Sequence, residues 1–248
     1  MSLTDLAVLI ARPGDLAAPL VQSLEKENVK VLQESLLHTA PLRENQVFYE
    51  AAAKVHEASW AIFVSPMAVR FAFSLWQRFF GVWPVQIKVA AVGQSTALAL
   101  HEQGVARVLY PKEESGAKAL FDLLGKENLQ DQLIAIFRAT TGQAPFFYQL
   151  QEKGAIPFAV PCYERHVGDV EKALLRLCQY QGRKVMICTS SELARAVLPH
   201  QRLVIENDVM LLVSHPHIAA VFAKENMAST ICNNINPKTV LEKIKENR

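Results

Sequence analysis

The segment WAIFVSPMAV, beginning at Trp60, returns in altered form as VMICTSSELA from Val185, and VAAVGQSTALALHEQG from Val89 returns as MLLVSHPHIAAVFAKEN from Met210. Aligning Ser65 with Ser190 sets the copies 125 residues apart; aligning Gly93 with Ser214 sets them 121 apart, a difference one loop absorbs. A third pair, VLIARPG with LEKENVKV and IAIFRATTG with LQEKGAIPF, aligns Arg12 with Arg138 at 126. Such a spacing is too long for a solenoid repeat and fits two homologous halves of domain size. With 248 residues, half of them apolar and a fifth charged, the chain can fill two such cores.

Short apolar, β-branched runs alternate with amphipathic segments. Strands are predicted at Leu6–Ala11, Val29–Gln33, Trp60–Val64, Ile87–Val92, Val105–Tyr110, Gln132–Phe137, Ile156–Val160, Lys184–Thr189, Val209–Ser214 and Ser229–Cys232. Helices fit at Met67–Phe80, Ser95–Gln103 with Gly104 as its stop, Ala117–Leu124, Val170–Tyr180, Pro216–Glu225, and after Asn236-Pro237. This alternation predicts α/β layers with parallel sheets, and more strands than one small sheet holds.

What recurs in each half is a buried strand ending in Ser or Thr, often followed by Pro, and then a helix. Ser65-Pro66, Gly93-Gln94-Ser95-Thr96, Ser190-Ser191 and Ser214-His215-Pro216 all occupy such junctions. A hydroxyl there caps the helix, while the remaining free N–H groups and the helix dipole face whatever lies beyond the strand ends. In open α/β sheets ligands bind at that end. One such junction reads as plain capping; four of them, with Arg12 and Arg138 also ending strands, point to an anion-receptive cleft between two lobes.

Several function classes are excluded by residues. Lys and Arg number 26 against 24 Asp and Glu, a net charge of +2, far from the basic excess of a nucleic-acid binder. The chain contains no GxGxxG, no GxxxxGK[ST] and no GxSxG. The first apolar run, Leu6–Ile10, has no basic segment before it, so no signal peptide is expected, and no apolar stretch is long enough to span a bilayer. Cys162, Cys178, Cys188 and Cys232 match no zinc or redox spacing and read as ordinary thiols of a reducing cytosol. His215 and His217 have no third ligand spaced to join them, so no metal is expected. The aromatics Trp76, Phe79, Phe80 and Trp83 have helical spacing, which favours packing over stacking on a ligand.

In order along nearly the whole chain, VLIARPG, FVSPMAV, VAAVGQSTALAL, GAIPFAVPCYER and CTSSELARAV resemble the uroporphyrinogen-III synthase family. The resemblance implies two flavodoxin-like, three-layer, parallel-sheet lobes joined by a two-stranded linker, with the ligand cleft between them. Residues 1–37 with 168–248 would form one discontinuous lobe, 42–162 the other, and 38–41 and 163–167 the linkers. It also implies a cytoplasmic, monomeric lyase needing neither cofactor nor metal. That enzyme closes the linear tetrapyrrole hydroxymethylbilane to uroporphyrinogen III on the route to haem, sirohaem and cobalamin. No nucleic-acid or membrane partner is implied, and hydroxymethylbilane synthase is the candidate for handing the substrate over.

The substrate carries eight carboxylates and closes by itself in water to the wrong isomer, so such an enzyme must steer. Loss of the ring-A hydroxyl gives an azafulvenium electrophile; attack at the substituted α-carbon of ring D gives a spiro intermediate that recloses with ring D inverted. Holding the curled conformation is a positioning effect. The departing hydroxyl needs a proton, which a positioned Tyr or a carboxylic acid of the substrate could supply. Tyr163 matches the tyrosine that the family places at its cleft, and a residue packed at a hinge is the alternative role. Arg12, Ser65, Gly93, Ser95, Thr96, Arg138, Ser190, Ser191, Ser214 and His215 are the candidate substrate-binding residues. Ala11 and Val64 stand where family members usually carry Thr, each removing a hydroxyl. A rival from another class is a non-catalytic, two-lobed α/β protein binding an anionic small molecule, which would be expected to carry an export signal.

Overall fold

The structure is a computed structural model that describes residues 5–246 apart from 12–13, 114–115, 142–144 and 234. In chain order the elements are β1 (Leu6–Ile10), α1 (Gly14–Lys26), β2 (Lys30–Gln33), β3 (Leu37–Ala40), α2 (Asn45–Ala53), β4 (Trp60–Phe63), α3 (Pro66–Phe79), β5 (Lys88–Ala91), α4 (Gln94–Glu102), β6 (Val108–Leu109) and α5 (Ala117–Leu124). They continue with β7 (Leu133–Ala139), α6 (Pro145–Glu152), β8 (Ile156–Val167), α7 (Val170–Cys178), β9 (Arg183–Cys188), α8 (Ser191–Val197), α9 (Gln201–Glu206), β10 (Val209–Val213), α10 (Pro216–Ala223), β11 (Thr230–Ile231) and α11 (Pro237–Glu246). The chain divides into two compact units, Met1–His38 with His166–Arg248, and Thr39–Arg165. Among the described residues no helix is long and apolar enough to cross a membrane.

The discontinuous unit carries a sheet in the order β11-β10-β9-β1-β2, parallel throughout. Counted along its own chain this is the 2-1-3-4-5 order of flavodoxin-like doubly wound sheets. Val8, Leu9 and Ile10 of β1 are wholly buried, because helices cover both faces of a parallel sheet. Alternation then assigns Ala7 and Leu9 to one core layer and Val8 and Ile10 to the other.

The continuous unit carries the order β3-β8-β7-β4-β5-β6, parallel from β8 to β6. Its β8-β7-β4-β5-β6 part has the same arrangement, with β7 and β8 standing where β1 and β2 stand in the first sheet. The two units are therefore permuted copies, which is why the Arg12 repeat matches Arg138 near the end of the second unit rather than its beginning. Trp60 and Ile62 of β4 face one core layer; Ala61 and Phe63 face the other, with Trp76 and Phe137.

Several strands differ from those read from periodicity. Leu37–Ala40 forms a strand, although its half-exposed pattern carries no apolar alternation. The predicted Val105–Tyr110 strand shortens to Val108–Leu109. Most consequential, β8 does not stop at Val160 but runs to Val167, and β7 runs to Ala139, so Arg138 lies inside a strand rather than beyond its end. Pro161 is tolerated because the bonds flanking β3, Gly168 N–H to the Leu36 carbonyl (2.8 Å) and Arg43 N–H to Glu164 (2.9 Å), set β3 beside the last residues of β8. Earlier in β8 that side has no ladder for a missing N–H to break.

Gly182 marks a close backbone approach. A Cβ there would come within 2.1 Å of the Asp5 carbonyl oxygen, which accepts from Arg183 N–H at 2.8 Å. Asn226 takes a positive φ of 55°, ending the α10 segment as a left-handed stop.

The aromatic cluster is packing, as its spacing predicts. Trp76 is 1% exposed, its ring centroid lies 4.8 Å from those of Phe80 and Trp83, and its Nε1–H donates to the Val82 carbonyl at 3.2 Å. Trp76→Ala is therefore expected to destabilise the chain by about 3–5 kcal/mol. Urea unfolding followed by circular dichroism checks it, and a cost under about 1 kcal/mol would remove Trp76 from the core.

Candidate active site

Parallel strands return through helices, so each helix start follows a strand's carboxyl end, and the junctions singled out above gather there. In the continuous unit, Ser65 follows β4 and caps α3, its Oγ accepting from Ala68 N–H at 3.1 Å. Gly93 follows β5 and caps α4 without a side chain, so the cap residue leaves the leading N–H groups of that helix open. Ser95 is exposed and Thr96 buried, both inside the first turn of α4 rather than capping it.

In the discontinuous unit, Ser190 follows β9 and repeats the Ser65 geometry, its Oγ accepting from Leu193 N–H at 3.1 Å; Ser191 is the first residue of α8. After β10 the expectation of a hydroxyl cap fails: the cap position belongs to His215, which makes no side-chain cap. Ser214 is 4% exposed and its Oγ bonds His215 Nδ1 at 2.9 Å. Gly93 thus corresponds in structure to His215, one residue beyond the sequence alignment: two residues separate strand from helix at both junctions, and the second of them is the cap. His215 and His217 are exposed, with ring centroids 5.4 Å apart. Among the described residues no three His, Cys, Asp or Glu side chains group to hold a metal. Arg12 lies outside the described residues.

Tyr163 occupies a different place from the one its sequence context predicts. It lies within β8, beyond the Val160 end read from the sequence, 1% exposed and in the core of the continuous unit. The cause is a break in the β7–β8 ladder. Arg138 pairs with Pro161, but the next residue, Ala139, pairs with Tyr163, leaving Cys162 as an extra residue. In a regular strand neighbours point to opposite faces; the bulge abolishes that here, and Cys162 and Tyr163 enter the same core layer. Cys162 Sγ donates to the Arg138 carbonyl at 3.2 Å, and burial raises its thiol pKa well above the ordinary range.

Around the phenol three elements meet. Its Oη lies 3.3 Å from Ser65 Oγ and accepts from Arg165 Nη2 at 3.2 Å. Phe71, from α3, stacks on the Tyr163 ring at 5.6 Å and 14°. Arg165 escaped notice in the sequence, although a period of two in a strand puts residues 163 and 165 on one side. Arg138 is half-buried; burial, and secondarily the Arg165 cation, lower its guanidinium pKa, while Tyr163 acts the other way. It still binds as a cation, and its Nε donates to the Ala139 carbonyl at 3.2 Å.

The continuous unit also has a cavity of about 1030 Å³ beside Trp60, Ile87 and Lys88, at the starts of β4 and β5. None of the candidate substrate-binding residues, nor Tyr163, lines it, and it lies at the opposite end of the strands from Ser65 and Gly93.

The profile of the family described as uroporphyrinogen-III synthase HemD matches residues 18–239. The uroporphyrinogen-III synthase of Salmonella typhimurium is 27% identical over 191 residues, 76% of this chain and 77% of that protein. The Escherichia coli enzyme is 26% identical over 193 residues with the same coverage. Among solved structures, a mutant uroporphyrinogen III synthase from the extreme thermophile Thermus thermophilus shares the fold at a TM-score of 0.64 and 15% identity, covering 97% of this chain and 98% of that one. The Helicobacter pylori enzyme does so at 0.60 and 17%, covering 98% and 100%. With a family match that runs through both units, over all four strand-to-helix junctions, the chain belongs to the uroporphyrinogen-III synthase family.

Proposed function

We propose that this chain is a uroporphyrinogen-III synthase, closing hydroxymethylbilane to uroporphyrinogen III with inversion of ring D through a spiro intermediate, by loss of water as a lyase. The observation that carries the reading is the family match over residues 18–239. The geometry supports it: carboxylate-rich substrates suit helix N-termini, and α4 offers leading N–H groups that its glycine cap leaves open.

In this reading Ser65, Gly93, Ser95, Thr96 and Arg138 serve the substrate from the continuous unit, and Arg12, Ser190, Ser191, Ser214 and His215 from the discontinuous one. Backbone N–H groups carry most of the carboxylate recognition, as the two capping serines already commit their oxygens to Ala68 and Leu193. Tyr163 is the source of the proton taken by the departing hydroxyl. The protein works as a cytoplasmic monomer, receiving substrate made by hydroxymethylbilane synthase.

Three outcomes are expected. Incubated with freshly generated hydroxymethylbilane and no added metal or cofactor, the protein should yield mainly the type III isomer, identified after oxidation to the porphyrin. Type I alone, at the spontaneous rate, would end the reading. Tyr163→Phe should lower turnover by one to two orders of magnitude, near the low end of the roughly 10²–10⁴ that a positioned proton donor contributes, since substrate carboxylic acids partly substitute. Its thermal midpoint should fall by no more than the loss of about 1 kcal/mol per hydrogen bond explains. Ser190→Ala should cost about 1 kcal/mol of stability, one cap, and leave most of the turnover. A well-folded Ser190→Ala protein without activity would refute recognition by the backbone.

A further inference from the structure

The phenol of Tyr163 is 1% exposed, so a proton that leaves it must pass through a neighbour. Donor and acceptor roles around it are determined by groups that can act in only one way. Arg165 Nη2 has protons and no lone pair to offer, so at 3.2 Å it donates and Tyr163 Oη accepts. The Ala68 N–H likewise only donates, and Ser65 Oγ accepts from it at 3.1 Å. The remaining contact, Tyr163 Oη to Ser65 Oγ at 3.3 Å, could run either way.

Burial decides the direction. If Ser65 donated to Tyr163, the phenol proton would be left without an acceptor among the described residues, inside the core, where an unmade hydrogen bond is costly. If Tyr163 donates to Ser65, every group is satisfied: the phenol accepts one bond and gives one, and the serine oxygen accepts two. The proton left over is then that of Ser65, which is half-buried at the carboxyl end of β4 and can turn outward.

We propose that Ser65 is the terminal proton donor of a one-way array, Arg165 to Tyr163 to Ser65, and that Tyr163 acts through Ser65 rather than touching the substrate. This rests on the synthase reading above and names the group that meets its substrate. As the C–O bond of the ring-A hydroxymethyl group breaks, its electron pair leaves on oxygen and takes the Ser65 proton, giving water. Ser65 recovers a proton from Tyr163, and the phenolate so formed faces the Arg165 cation. The ring-A nitrogen lone pair fills the electron-poor carbon, giving the azafulvenium. The proton lost from the closing pyrrole at the end returns to the array, so the net change is one water. Phe71, stacked on the phenol from the helix that Ser65 caps, holds donor and relay in register.

The test compares type III formation by the full chain with that of Ser65→Gly, Tyr163→Phe, the double variant and Ser65→Thr. Glycine is tolerated at a helix cap, so Ser65→Gly removes the hydroxyl while sparing the fold, and threonine restores it. The array predicts that Ser65→Gly and Tyr163→Phe each lower kcat about ten- to a hundredfold with KM little changed. The double variant should be no slower than the slower single, because residues acting as a unit are not additive, and Ser65→Thr should recover most of the rate. A Ser65→Gly protein at the full rate beside an impaired Tyr163→Phe, or multiplied losses in the double variant, would overturn the array while leaving the synthase reading intact. A wild-type chain forming only the type I isomer would overturn both.

Discussion

Parallel pairing is the constraint on which the rest of this molecule depends. A strand lying parallel to its neighbour must be followed by a crossover, and here the crossovers are helices, so strand carboxyl ends and helix amino ends are forced together. Each unit obeys this separately, and each gathers hydroxyls, unsatisfied N–H groups and a half-dipole of positive sign at one end of its sheet. In the continuous unit the other end is apolar and basic, where Trp60 and Lys88 lie. Function in this architecture is directional before any particular side chain is chosen.

Within that frame the bulge between β7 and β8 does the finer work. Were the ladder regular, with Cys162 opposite Ala139, Tyr163 would point to the opposite side of the sheet from the core layer it now enters, away from Ser65 and Phe71. Cys162 itself is inert for the reason it is useful: it fills space. Its thiol and that of Cys188, which burial pushes up to about 12, stay protonated near neutrality and cannot act as nucleophiles.

How much could be read from residues alone follows from the physics of each element. Fully buried strands such as β1 and β4, and the buried last four residues of β9, announce themselves as continuous apolar runs, and the caps at Ser65 and Ser190 as serines between such runs and helices. The duplicated halves were visible because both cores repeat the same alternation. Leu37–Ala40 has no periodicity to find, since it is half-exposed; only the family resemblance, with its two-stranded linker, pointed to a strand there. Pro161 suggested an end to β8 because proline is expected at a strand's limit; it marks a bulge instead, and only the pairing register reveals that. For the same reason the depth at which Tyr163 is buried does not show in the sequence. At Ser214 a hydroxyl at a strand end looks like a cap, but it is the first of the two residues between β10 and α10, and the second, His215, holds the cap position.

The permutation of the two sheets has a consequence for how the chain comes off the ribosome. The unit Thr39–Arg165 is continuous, so its central strands β4 and β7 find each other as soon as that stretch has emerged. The other unit begins with β1, the strand that ends up in the middle of its sheet between β9 and β2. From synthesis of Leu6 until Arg183 is made, that strand has an unpaired inner edge and apolar residues on both faces. The earliest strand of this unit is thus among the last to be enclosed, and during that interval β1 is the segment of the unit most in need of shielding from other unpaired strands.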